Sequence, residues 1–162
     1  MSDVKNISVN DQDLGFNKKL ENVKFDNVFD TVTIQNAEKL VERNKNNFLT
    51  AVVIDFNDLK KEFDAIAIGA DHAAIETLQN KAFSIKSRAT IGGFEVASNV
   101  AKSLFEFCEN HIKILDATKH AIVKVHVHAL EDIFTGKFDV NDSAKCEKLV
   151  SGLNQLVHKH AK

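Results

Sequence analysis

A chain of 162 residues with 44% hydrophobic and 27% charged side chains has the size and balance of one globular domain with at most a tail. A net charge of −2 lacks the basic surplus a nucleic-acid binder needs. No apolar run approaches the ~18 residues of a membrane span. The opening "MSDVKNISVNDQDLG" has neither the basic start nor the apolar stretch of a secretory signal, so the expected location is cytoplasmic. Cys108 and Cys146 fall on apolar faces and are expected as reduced core residues rather than a disulfide.

Proline is absent and glycines number six, the composition that long uninterrupted helices require. Residues 1–35 stand apart. They are rich in Asn and Asp, and their apolar clusters "VKFDNVF" and "TVTI" show no sustained helical spacing. They read as a partly ordered N-terminal arm, with Phe25, Val28 and Phe29 available to pin it to the domain or to a second copy.

Residues 36–162 form the predicted helical domain. Ala37, Leu40, Val41, Phe48, Val52, Phe56, Leu59, Phe63 and Ile66 recur at three- and four-residue steps. This is one very long helix, or two broken near "DFND" (55–58), where Asn57 or Asp58 would cap a new start. "GADH" (69–72) makes a turn, with Asp71 as cap. In the next helix Ile75, Leu78, Ala82, Ile85 and Ala89 form an apolar seam that "GG" at 92–93 ends. Ala97, Val100, Ala101, Leu104, Cys108 and Ile112 mark another helix. "NDS" (141–143) caps the last, which carries Cys146, Leu149, Val150, Leu153, Leu156 and Val157 inside and "HKH" (158–160) at a solvated end.

"KHAIVKVHVHALEDIFTG" (119–136) reads two ways. As a strand, it aligns Lys124, His126 and His128 on one face, a metal-ligand pattern. As a helix, Ile122, Val123, Val127, Ala129, Leu130, Ile133 and Phe134 share one face, while Lys124, His128, Glu131 and Asp132 share the other. The helical sorting extends over four turns and the alternation does not, so the helix is expected. It makes His126 a neutral core histidine with one hydrogen-bond partner, leaves His128 in water beside Asp132, and dissolves the metal pattern. No phosphate loop, C-x-x-C, G-x-S-x-G or paired-carboxylate signature occurs. The expectation is therefore a non-enzyme with no metal and no cofactor.

One residue on the 71–91 helix is out of place. Phe83 lies roughly 130° from the centre of the apolar seam at 100° per residue, with Glu76, Asn80 and Ser87 further round and Lys86 beside it. An aromatic side chain is thereby presented to solvent.

Here "LQNKAFSIKSRATIGGFEVASNVAKSLFEFCE" (78–109) resembles the core of histidine-containing phosphotransfer (HPt) domains, and "ALEDI" after "VKVHVH" resembles the third helix of some HPt-like proteins. The family motif runs apolar–Ala–His–x–apolar–Lys–Gly–small, then a Gly-led turn into a second helix. The resemblance spans residues 71–135. It implies an all-α, antiparallel up-and-down four-helix bundle, here preceded by an additional N-terminal helical or extended segment. In this alignment Lys86 is the motif lysine, Ser87 replaces the glycine, and Phe83 replaces the phosphoacceptor histidine. A phenyl ring has no nitrogen to phosphorylate.

The resemblance thus implies a degenerate signalling module of a two-component phosphorelay. Its partner would be a response-regulator receiver domain or a histidine kinase, docked on a surface of Phe83, Lys86, Ser87, Asn80, Glu76 and Gln79. A homodimer is compatible with it. Two alternatives stand. One is an active phosphotransfer protein using another histidine, His72 (~16 Å from Phe83 along the helix) or His128. The other is a helical structural or oligomerisation protein unrelated to phosphorelay.

Overall fold

The computed structural model describes residues 31–161. Among them are five helices and no strand: α1 (Thr31–Ala65), α2 (His72–Gly92), α3 (Glu95–His111), α4 (Ala117–Phe134) and α5 (Ser143–Lys159). The chain divides into two compact units with the boundary after Arg43, inside α1. In the first unit the described residues, 31–43, are all exposed. Leu40 and Val41, expected to continue an inward apolar stripe, are 60% and 68% exposed. Residues 31–35, read above as part of an arm, are helical. The β-branched "TVTI" costs only a few tenths of a kcal/mol per residue in helix propensity, and extending a helix adds one hydrogen bond for each residue fixed. The remainder of the arm, with Phe25, Val28 and Phe29, lies outside the described residues.

The second unit holds the core. Helix α1 runs through "DFND" without a break. Neither Asn57 nor Asp58 caps a new start, since the helix is continuous; Asp55 and Asp58 are instead each engaged by a cation of α2: Arg88 Nη1 donates to Asp55 Oδ2 at 2.8 Å, and Lys81 Nζ to Asp58 Oδ2 at 2.9 Å. The hydrogen bond and charge of Lys81 hold the Asp58 carboxyl below its usual pKa. Along the same stretch of α1, Val52, Phe56, Leu59 and Phe63 turn inward. Toward α4, Phe56 meets Phe134 with ring centroids 5.3 Å apart, Phe63 stacks on His120 at 4.9 Å, and Lys60 pairs with Glu131.

Asp71 starts α2 as expected, its carboxylate accepting from the Ala74 amide. The seam of Ile75, Leu78, Ala82, Ile85 and Ala89 is wholly buried. Two glycines end the helix for different reasons. Gly93 takes φ +77°, the left-handed conformation that spares glycine a Cβ clash. Gly92 sits where a Cβ would come within 2.6 Å of the Phe94 ring and 3.0 Å of Phe48 Cβ.

On α3 the expected inward residues are buried, and Phe107 and Ser103 join them. Burial pushes the Cys108 thiol up to about 12, which makes it inert packing. Helix α4, capped by Asp116, buries Ile122, Val123, His126, Val127 and Leu130. The strand alternative is thereby excluded, with His126 inside and His128 exposed. The loops before α2 and α4 are tied together, since the Gly69 amide donates to Leu115 O and the Leu115 amide to Ala70 O, at 2.7 and 3.0 Å.

Helix α5, capped by Asp142, buries only Leu153. Cys146 is free, as expected, but half-buried rather than core, its thiol 3.4 Å from Val140 O. Among the described residues no helix is long and apolar enough to cross a membrane.

His126 has two hydrogen-bond partners rather than the one expected. Its Nδ1 lies 2.8 Å from Ile122 O and its Nε2 3.0 Å from Ser103 Oγ. A carbonyl only accepts, so Nδ1 carries the proton and Nε2 accepts from the serine hydroxyl. Burial lowers the imidazole pKa below the ordinary 6.5, partly opposed by the Ile122 bond. The unfolded chain therefore binds this proton more readily than the folded one. The stability His126 provides is intact above about pH 6.5 and falls as pH drops through that value. Denaturant midpoints measured from about pH 8 to 5 are expected to show this step, and His126→Gln to flatten it; an equal slope in the variant would contradict the assignment.

Candidate functional site

With the seam of α2 buried, its opposite side has nowhere to go but outward. Phe83 is 49% exposed, and the half that is covered has a definite cause. Phe105 of α3 lies against it, ring centroids 5.5 Å apart and planes inclined at 53°. The Lys86 ammonium stands 5.6 Å from the centroids of both rings. A tilted aromatic pair contributes about 0.5–1.5 kcal/mol beyond area burial, and an exposed cation over a ring about 0.5–1 kcal/mol. Phe83 is therefore held in place, not left loose in solvent.

The expected docking residues fall around this core. Gln79, Lys86 and Ser87 are half-buried, and Glu76 and Asn80 are exposed on the preceding turns. The backbone below Lys86 is braced: its carbonyl accepts from Thr90 Oγ1 at 2.8 Å and from Ser98 Oγ at 3.3 Å, and those two hydroxyls lie 2.6 Å apart. On α3, Lys102 and Glu106 pair at 3.8 Å and flank Phe105. The outcome is an aromatic pair bridged by one ammonium and rimmed by amides, a hydroxyl and mixed charges.

Phe105 is the residue that reading the sequence missed. It stands beside Leu104 but off the apolar seam of α3, as Phe83 does on α2. Two off-seam aromatics on consecutive helices, on either side of a two-glycine turn, were the available signal.

The alternative histidines are not brought to this site. His72 is the first residue of α2, exposed, and His128 is exposed on α4. His111 lies tilted against Phe107 with ring centroids 5.8 Å apart, while His120 and His126 are held as described. Among the described residues no three His, Cys, Asp or Glu side chains come together as a metal site.

No protein-family model matches the chain, and no curated protein or solved structure matches it. The resemblance in residues 78–109 therefore rests on those residues alone.

Phe83→Ala removes a half-exposed ring and one aromatic contact and is expected to cost about 1 kcal/mol. In a double-mutant cycle with Phe105→Ala, read by denaturant unfolding, the coupling should be about 0.5–1.5 kcal/mol. Strict additivity would show that the two rings do not support one another.

Proposed function

We propose that this chain is a docking module of the histidine-phosphotransfer type, which engages a receiver domain or a histidine kinase without carrying phosphate itself. The observation that supports it most is the position of Phe83. In the resemblance it stands where the motif histidine would, and it lies on the outer face of a helix whose inner face is wholly buried, with Lys86 three residues on. A large aromatic anchor with a polar rim is the usual centre of a protein–protein contact. Lys86 supplies a positive charge beside it that an acidic receiver site would attract.

The finer architecture belongs to the same reading. Asp55 pairs with Arg88 and Asp58 with Lys81, so numbers rise along α1 as they fall along α2. Phe56–Phe134, Lys60–Glu131 and Phe63–His120 run in the same opposed sense between α1 and α4. Helices α1–α4 in this reading are an antiparallel up-and-down four-helix bundle, with α5 added to one side. The module would act in the cytoplasm, as a partner in two-component signalling rather than as an enzyme.

The test uses phosphorylated receiver domains from the same genome as donors and intact-mass detection on wild type and Phe83→His. Phosphate on the variant alone is the expected result, a scaffold that lacks only its nucleophile. Phosphate on the wild type would mean that another histidine carries a relay, and phosphate on neither would remove the phosphotransfer reading.

A further inference from the structure

The helices of the second unit are not all joined by the same means. Helix α1 is paired with α2 through Asp55–Arg88 and Asp58–Lys81, and with α4 through Lys60–Glu131. Helices α2 and α3 share the Thr90–Ser98 hydroxyl pair and the Phe83–Phe105 rings, and α3 and α4 share the buried Ser103–His126 bond. Helix α5 lies against α3 and α4 with no such link. Among the described residues no hydrogen bond or ion pair joins residues 139–161 to residues 44–138. What holds α5 is apolar: Leu153, 3% exposed, with Leu149, Leu156 and Val157 packed part-way against the core. On one flank even this packing stops short, at an open groove of about 900 Å³ whose α3 wall is Glu95, Val96 and Asn99.

The connection from α4 shows where attachment to the bundle ends. The Gly136 amide donates to Ile133 O and the Phe138 amide to Asp132 O at 2.9 Å, which fastens the chain to the end of α4 as far as Phe138. From Asp139 onward the bonds run the other way. The Asn141 amide donates to Asp139 Oδ1 and the Asp142 amide to Asp139 O. Asp142 in turn caps α5 through the Lys145 amide, and Cys146 Sγ lies 3.4 Å from Val140 O. Residues 139–161 are thus bonded to one another and not to the helices they cover.

We infer that α5 is a releasable strap: residues 139–161 leave α3 and α4 as one unit, hinged at Phe138–Asp139, while α1–α4 stay folded. Segments with few buried apolar side chains open at lower free energy than the core of the same domain. Release of the strap breaks no hydrogen bond or ion pair with the bundle and exposes one wholly buried side chain and three partly buried ones. Opening α2 instead would expose five side chains of zero exposure and break two ion pairs. Once free, a helix of 17 residues is marginal on its own, so its amides open to water. The inference does not depend on the phosphotransfer reading, since no residue of the Phe83 surface takes part.

Amide hydrogen exchange of the full chain, read residue by residue under conditions where the rate reports the opening equilibrium, tests it. Amides from Leu149 to Val157 are expected to be at least tenfold less protected than those of the α2 seam, and to respond more weakly to low denaturant, because less surface is exposed. Two variants separate release of the strap from unfolding of the whole domain, with far-UV circular dichroism confirming that each is folded. Leu153→Ala, which weakens the strap itself, should speed exchange in α5 by roughly tenfold or more. Ile75→Val, which weakens only the core, should speed exchange in the α2 seam by about two- to tenfold and leave that of α5 unchanged. Equal protection of α5 and the α2 seam, or an α5 that accelerates with α2 in Ile75→Val, would overturn the inference.

Discussion

Ile75, Leu78, Ala82, Ile85 and Ala89 lose all their exposure along one line of α2, and that burial fixes the rotation of the helix about its axis. Burying large aliphatic side chains contributes about 1.5–3 kcal/mol each, far more than any surface contact nearby. A turn of the helix by even one residue's worth would expose the seam. The outer face therefore inherits its composition from the inner one: Phe83 points outward because Ala82 and Ile85 point in. The two alanines matter as much as the larger residues, since they leave room for the neighbouring helix while Ile75, Leu78 and Ile85 fill the space between them.

Polar groups then refine what apolar burial sets. Arg88 and Lys81 reach two carboxylates of α1, and Lys60 reaches Glu131 of α4. Exposed pairs of this kind contribute little stability each, but they pin the register of helices whose apolar seams would tolerate sliding. Asp55 is the most demanding member, because it is nearly buried and would be left without its charge partner if Arg88 moved.

The sequence carried the helices, and the inward faces of α2, α3 and α4, with good fidelity because period and burial are the same signal read twice, whereas α5 buries only Leu153 of the six residues expected inside. The α2 seam and the helical sorting of 119–136 needed no tertiary information. What it could not carry was pairing between elements. Asp58 beside Asn57 has the local chemistry of a cap, and only Lys81, 23 positions away, explains why it serves α1 and α2 instead. Phe105 can be seen to stand off its own seam, but that it meets Phe83 shows only when two helices are set side by side, and the Ser103 bond to His126 likewise crosses from α3 to α4. Leu40 and Val41 mislead in the opposite direction: their spacing continues the α1 stripe, but their exposure shows that spacing alone does not bring something to cover them. Of the candidate site, the residues of α2 were legible and the half contributed by α3 was not.

The central claim is that the Phe83–Lys86–Phe105 surface is a protein-docking face. It is tested most directly by titrating the isotope-labelled chain with receiver domains and histidine-kinase domains from the same genome while following its amide resonances. The account predicts that at least one partner shifts a contiguous set of signals centred on Phe83, Lys86 and Phe105 and extending to Gln79 and Ser87. Shifts confined to another face, or none with any of those partners, would contradict it.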